Sequence, residues 1–454
     1  MISSFSPTDG RLLAEYEETS TQDVRRCIET AASLQRDWAN VPISDRAVPM
    51  MRLADLLEAS RGELAQLMAE EMGKPLAQGL AETDKCAWGC RHYAENADRI
   101  LADEHIEADR PKSYLAYRPL GVVLAVMPWN FPLWQVYRFF APALMAGNGG
   151  ILKHASNVTG CALAIDRLAV EAGFPDGLFR TLVLPSSRVD EVLEHPSIVA
   201  ATLTGSDPAG RAVASKAGSL LKKTVLELGG SDPYLVLADA DLERAAATCS
   251  TSRLINGGQS CIAAKRFIVE EPVVEEFTEL LAAEMSTAVM GDPMHPATTL
   301  GPMARVDLRD DLHHQVEKSV AAGARLVIGG EVPEGPGAFY PATLLADVTE
   351  GMAVYHEETF GPVAAVIAAR DVDDAVRIAN DTEFGLGAAI FTADLELGER
   401  VARDRLEAGA CFVNAFVASD PRLPFGGIKM SGYGRELSDI GMREFLNTKT
   451  VVVA

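Results

Sequence analysis

The sequence predicts an α/β protein: two strand–helix units and a separate β-ribbon. Three observations carry that expectation. Apolar runs of four to eight residues alternate with helical-period stretches from residue 120 onward. The alternation breaks and restarts near residue 230, and two segments of strand character, 104–119 and 448–453, belong to neither stretch. A chain of 454 residues is too long for one core, so two or three domains are expected.

The first hundred residues read as helices. Val24, Cys27, Ala31, Leu34 and Trp38 fall at helical spacing, as do Leu53, Leu56, Leu57, Leu64 and Leu67. Strands are then expected at 120–127, 181–184, 199–204 and 234–237, with helices at 133–146, 158–172 and 208–221. The second stretch reads as strand 266–270, helix 274–288, strands 325–329 and 363–369, helix 372–380, strand 387–392, helix 394–407 and strand 410–414. Strand–helix alternation implies parallel strands with crossover helices. Exposed strands such as 104–119 and the β-branched tail are liabilities unless another chain covers them, so they read as oligomer contacts.

Composition narrows the class. Apolar residues make up 48% and charged residues 23%, ordinary for a globular protein. The longest apolar run, Leu120 to Met127, falls far short of the roughly 20 residues of a membrane span. The first residues lack the basic and apolar regions of a signal peptide. Seven cysteines without regular spacing argue against a disulfide framework, and a reducing cytoplasm is expected. A net charge of −23 repels nucleic acid and anionic membranes. An anionic ligand would need local cations set against that field. Cys86, Cys90 and His92 invite a metal reading, but no fourth ligand is near and core packing is expected.

Three residues stand out chemically. Cys261 follows Asn256-Gly257-Gly258-Gln259-Ser260, a flexible approach to a thiol. A free cysteine is more often an inert buried side chain, so its company decides. Glu227 sits in an apolar run ending in Gly229-Gly230, where burial would raise its pKa and suit it to general-base work. Asn130, in Pro128-Trp129-Asn130-Phe131-Pro132, follows the strongest predicted strand, where open α/β sheets bind ligands; its amide can donate to a developing oxyanion. The bland alternatives are a strand-end glutamate and a turn-capping asparagine.

Together these segments resemble the aldehyde dehydrogenase superfamily, and the resemblance runs the length of the chain. Its motifs appear in order: Pro-Trp-Asn-Phe-Pro at 128–132, Ile-Leu-Lys at 151–153, Thr-Gly-Ser at 204–206, Leu-Glu-Leu-Gly-Gly at 226–230, Gly-Gln-Ser-Cys at 258–261, Glu-Glu-Thr-Phe-Gly-Pro at 357–362 and Pro-Phe-Gly-Gly-Ile-Lys at 424–429. The resemblance implies the aldehyde dehydrogenase fold. A Rossmann-like cofactor domain would comprise 1–100, 120–229 and 430–440, an α/β catalytic domain 230–429, and an oligomerisation arm 101–119 with 441–454. It implies Cys261 as nucleophile, Glu227 as base, and Asn130 with the Cys261 N–H as oxyanion hole. A thiohemiacetal would lose hydride to nicotinamide and become a thioester that water hydrolyses.

The resemblance also implies cofactor contacts at Trp129, Asn130, Lys153, His154, Ala155, Ser156, Gly205, Ser206, Leu228, Glu358 and Phe360. There is no Gly-x-Gly-x-x-Gly; Thr204-Gly205-Ser206 opens a helix whose N-terminus suits a pyrophosphate. Ser156 stands where NAD-preferring members often carry glutamate, so NADP is expected, with NAD possible. His154 replaces a usual proline. Arg138, eight residues after Asn130, matches an arginine of succinate-semialdehyde dehydrogenases, and Ser419 matches their serine. Both would grip a distal carboxylate, with Trp134 as apolar wall. A second arginine of many such enzymes is Ile255 here, with Arg253 two residues off, so glutarate semialdehyde or another short aldehyde is an alternative. A second cysteine beside the nucleophile is absent, Ala263 standing there. The expected partners are a small semialdehyde and further copies of the chain, as homodimer or dimer of dimers. A non-catalytic structural protein that kept the fold is the rival of another class, and the intact Cys261, Glu227 and Asn130 oppose it; Glu227 also opposes a CoA-acylating enzyme.

Overall fold

The two alternating stretches form two separate sheets in the computed structural model, which describes residues 1–454. The first has six strands in the order Gly432–Tyr433, Lys223–Glu227, Ile198–Thr204, Val122–Met127, Gly149–His154, Phe179–Thr181. All pair in parallel except Gly432–Tyr433, which returns late in the chain to lie antiparallel on Lys223–Glu227. The second has seven strands, ordered Arg325–Ile328, Thr343–Ala346, Val363–Ala369, Arg266–Glu270, Pro233–Val236, Gly387–Phe391, Ala410–Val413. Only its edge pair, Arg325–Ile328 with Thr343–Ala346, is antiparallel. A third sheet joins Leu446–Val453, Lys112–Pro119 and Glu104–His105 as an antiparallel ribbon.

The second sheet shows why its strands read as unbroken apolar runs. Leu235, Ile268, Ile367 and Ile390 pack into a core on one face, while Tyr234, Val236, Phe267, Val366 and Phe391 pack on the other. Alternate residues point to opposite faces, and a parallel sheet covered on both sides reads as a nearly continuous apolar run.

Several elements depart from the sequence reading. Ile2–Phe5 and Leu12–Tyr16 form an antiparallel hairpin ahead of the helices. With polar Ser3 and Ser4 inside a four-residue strand, its pattern is too short to register. Gly149–His154 is a strand despite its two leading glycines, since a Cβ on Gly150 would lie 2.7 Å from Phe179 Cδ2. The strands Lys223–Glu227 and Thr343–Ala346 and the helices Leu242–Leu254 and Val306–Ala321 are further elements that the sequence pattern does not announce. No helix is long and apolar enough to cross a membrane.

One buried ion pair fixes the loop that follows Val122–Met127. Lys74 and Glu82 are both buried and paired. Glu82 Oε1 accepts from the backbone N–H of Leu133 (2.9 Å) and Trp134 (3.0 Å), capping the helix Trp134–Met145. Lys74 Nζ donates to the Asn130 carbonyl at 2.9 Å and sits 4.0 Å from the Phe131 ring centroid. Removing one partner of such a pair costs about 3–5 kcal/mol, which explains how a proline-flanked loop holds one shape.

Candidate active site

The helix Leu242–Leu254 ends where three residues in succession adopt left-handed backbone: Asn256 (φ 54°), Gly257 (63°) and Gly258 (72°). Gly258 is obligatory, because a Cβ there would lie 2.2 Å from the Gly361 carbonyl oxygen. The buried Arg253 guanidinium donates to the Gly258 carbonyl at 2.6 Å, so this arginine shapes the thiol loop. Asn256 Nδ2 ties that loop to the neighbouring one, donating to the carbonyls of Asn130 (2.7 Å) and Gln259 (3.0 Å). Lys265 Nζ donates to the carbonyls of Ser260 (3.0 Å) and Cys261 (2.6 Å). The Cys261 N–H itself donates to nothing in the chain. Burial pushes the Cys261 thiol up to about 12, against the pull of Arg138 and Lys265. The resting nucleophile is therefore a protonated thiol that needs a base or a change of surroundings to react.

Cys261 lines a cavity of about 340 Å³. Phe131, Trp134, Ile255, Ile262, Phe416 and Phe425 supply apolar wall, and Gln135, Ser252, Ser260 and Ser419 supply hydroxyl and amide groups. Trp134 Nε1 donates to Ser419 Oγ at 3.2 Å, which brings these two side chains together on one wall of the cavity. Asn130 is buried beside the thiol loop, its Nδ2 donating to the Gln259 carbonyl (3.0 Å) and its Oδ1 accepting from Gln135 (3.0 Å). One amide hydrogen is thus engaged and the second is left for an oxyanion. Glu227 ends its strand buried, with neither carboxylate oxygen hydrogen-bonded. Its Oε1 packs on Gly426, where a Cβ would approach within 2.6 Å. Burial first, and then Glu436, hold its pKa well above the ordinary value. Glu227 does not line the cavity in this conformation.

Arg138 departs from the role the sequence suggested. It lines the cavity, but its guanidinium is ion-paired with the buried Glu436. It also donates to Thr204 Oγ1 at 3.0 Å and lies 4.9 Å from the Phe425 ring centroid. The substrate-gripping arginine thus already has a carboxylate of its own. Sequence reasoning missed Glu436, Lys74, Glu82, Lys85 and Lys265. One signal was legible: Glu82 shares a helical stripe with Gly79, Thr83, Cys86 and Cys90, all buried, and a buried acid demands a partner.

A second cavity, of about 520 Å³, is lined by Lys153, Ala155 and Ser156 with residues of the N-terminal hairpin and Arg305. Lys153 is buried and its ammonium has no partner in the chain, as expected of a group that meets a phosphate or ribose. Ser206 precedes the helix Asp207–Ser219 with extended backbone, and its side chain makes no capping bond, leaving the helix N-terminus open to an anion. Glu358 Oε1 accepts from the Gly230 N–H at 3.0 Å and lies 3.4 Å from Lys265 Nζ. Trp129 and Phe360 stack edge to face at 5.8 Å. Leu228 packs against Gly210 of that helix, and Gly205 donates to the Glu227 carbonyl at 3.0 Å. His154 is buried against the Pro132 carbonyl (2.8 Å), its pKa lowered by burial to about 4, so it braces the loop as a neutral ring. These groups suit a dinucleotide: a free cation, an open helix N-terminus and an aromatic pair.

Two open α/β sheets, a half-buried thiol in a cavity between apolar walls and groups suited to a dinucleotide define a thiol-dependent dehydrogenase. The aldehyde dehydrogenase family model matches residues 1–451, and the chain belongs to that family. It is 49% identical over 454 residues to a succinate-semialdehyde dehydrogenase [NADP(+)] of Mycobacterium avium, covering 99% of this chain and 96% of that one. It is 48% identical to a probable succinate-semialdehyde dehydrogenase [NADP(+)] of Synechocystis, covering all of both. The structure of succinic semialdehyde dehydrogenase from Streptococcus pyogenes in complex with NADP+ superposes with a TM-score of 0.97 at 36% identity, again over the whole of both chains.

Proposed function

We propose that this enzyme oxidises succinate semialdehyde to succinate with NADP as preferred acceptor. The observation that carries this reading is Cys261 in an apolar-walled cavity whose lining brings cationic side chains into a strongly acidic protein. The names of the 48–49% identical relatives point the same way.

The chain's residues divide the work. Cys261, its thiol proton passed to water, adds to the aldehyde carbon, and its own N–H with the second Asn130 amide hydrogen receives the oxyanion. Bound nicotinamide supplies the hydride acceptor. Glu227, kept protonation-ready by burial, turns from Gly426 toward the thioester and takes a proton from water. Lys153 and Ser156 receive the ribose end, where serine leaves room for a 2′-phosphate that glutamate would repel. The first sheet with residues 1–100 and 430–440 serves the cofactor, and 230–429 carries the thiol. The ribbon of 104–119 and 446–453 is read as the self-association surface of a homodimer or dimer of dimers, in the reducing cytoplasm that seven free cysteines suit.

The test is turnover of purified protein with succinate semialdehyde, glutarate semialdehyde and butanal, each with NADP and NAD. Highest kcat/KM for succinate semialdehyde with NADP, abolished in Cys261→Ala, is expected. Equal use of butanal would overturn the substrate reading.

A further inference from the structure

We propose that Lys85, assisted by Ser419, is the group that holds the distal carboxylate of the substrate. This rests on the semialdehyde reading and names the residue that enforces it.

The argument starts from the charge balance of the thiol cavity. Its lining holds three charged side chains: Glu82, Lys85 and Arg138. Glu82 is committed to Lys74 and two backbone N–H groups. Arg138 is committed to Glu436 and Thr204. Lys85 alone has no ion-pair partner. Its only hydrogen bond goes to Ser419 Oγ, at 2.7 Å. The neighbouring Asp420 carboxylate is held by Arg422 at 2.9 Å.

The geometry suits an anion. The Lys85 ammonium sits 4.7 Å from the Trp134 ring centroid, an apolar face that strips water from it without neutralising it. Of its three donors one is used, so two remain. Ser419 Oγ accepts from both Lys85 and Trp134 Nε1, which leaves its own hydrogen to donate. Two ammonium hydrogens and one hydroxyl hydrogen thus converge at one wall of the cavity that holds Cys261. A half-buried cation without a counter-ion is costly, and desolvation already pulls the Lys85 pKa down to about 8. A bound carboxylate would restore it. An uncharged aldehyde would leave that cost in place, so the site discriminates by what it leaves unpaired.

The experiment measures kcat/KM for succinate semialdehyde and for butanal in wild type, Lys85→Met and Lys85→Arg, with saturating cofactor. The ratio of the two values is expected to fall about 10- to 100-fold in Lys85→Met, the worth of one charge-assisted hydrogen bond, with the loss in KM. Lys85→Arg, which keeps the charge, should recover most of the ratio. Ser419→Ala reads the same contact from its other side, and a smaller fall in the ratio is expected even if Lys85→Met does not fold. A ratio unchanged in the Lys85 and Ser419 variants, while wild type prefers the semialdehyde, overturns the proposal and leaves the substrate reading intact. A wild type without that preference overturns both.

Discussion

Arg138→Met separates a gripping arginine from a structural one. Arg138 and Glu436 are only 3% and 5% exposed at the side chain, so the substitution strands a carboxylate beside the equally buried Glu227. Breaking a buried pair costs about 3–5 kcal/mol. Two features set the sum. Loss of the Thr204 hydrogen bond adds about 1 kcal/mol. Against this, burial already raises the Glu436 pKa, and without Arg138 it rises further, so Glu436 escapes part of the cost by binding a proton. A loss of about 3–4 kcal/mol near pH 7 follows from that balance. The sign with pH is fixed as well. A carboxylate whose folded pKa exceeds its unfolded value favours the folded state at low pH, and that contribution is lost as pH rises through the folded value. The destabilisation therefore grows as pH rises. Urea denaturation read by circular dichroism at several pH values measures it. Arg138→Met/Glu436→Gln, which removes both charges, should recover most of the loss. Turnover of butanal and succinate semialdehyde should fall together, since Arg138 also biases the Cys261 thiol. Unaltered stability with loss confined to the semialdehyde would refute this reasoning and return the carboxylate to Arg138.

Three further outcomes are expected. Alkylation of resting Cys261 by iodoacetamide should climb about tenfold per pH unit between pH 7 and 9, because a thiol near 12 shows no plateau there; a plateau below pH 9 would mean that the thiolate is stabilised in the free enzyme. Glu227→Gln should give a burst of NADPH followed by slow turnover as thioester hydrolysis becomes limiting, and loss of the burst itself would move Glu227 to thiol activation. Ser156→Glu should shift the kcat/KM ratio from NADP toward NAD by at least about tenfold, the effect of a charge facing the 2′-phosphate; an unmoved ratio would mean that the ribose end is read elsewhere.

The sequence made the strand–helix alternation legible because both sheets are covered on two faces and the middles of most strands are apolar runs. Val363–Ala369 and Arg266–Glu270 coincide with their predicted limits for that reason. Gly149–His154 stayed hidden because its glycines are there for Phe179 and not for the strand itself. The site divided similarly. The Cys261, Glu227 and Asn130 segments carry local signatures, glycines and prolines that any loop approaching a ligand needs. The charge pairs carry none. Arg138 meets Glu436 across 298 residues of chain, and Lys85 meets Ser419 across 334, so only the folded molecule shows which cation is spent and which is free.

The late return of the chain has a consequence for biogenesis. Gly432–Tyr433 supplies the edge strand of the first sheet, and Glu436 follows three residues later, after every strand of the second sheet has been made. A nascent chain therefore carries Lys223–Glu227 as a bare β-edge, and Arg138 buried without its counter-ion, throughout synthesis of the second unit. N-terminal units ordinarily fold first on the ribosome; here the first unit cannot close until nearly the last residues emerge. Unpaired strand edges invite association with other chains, so the window of greatest aggregation risk is built into the order of translation. A chain stopped before residue 432 should accumulate with chaperones even though nearly all of its core is present.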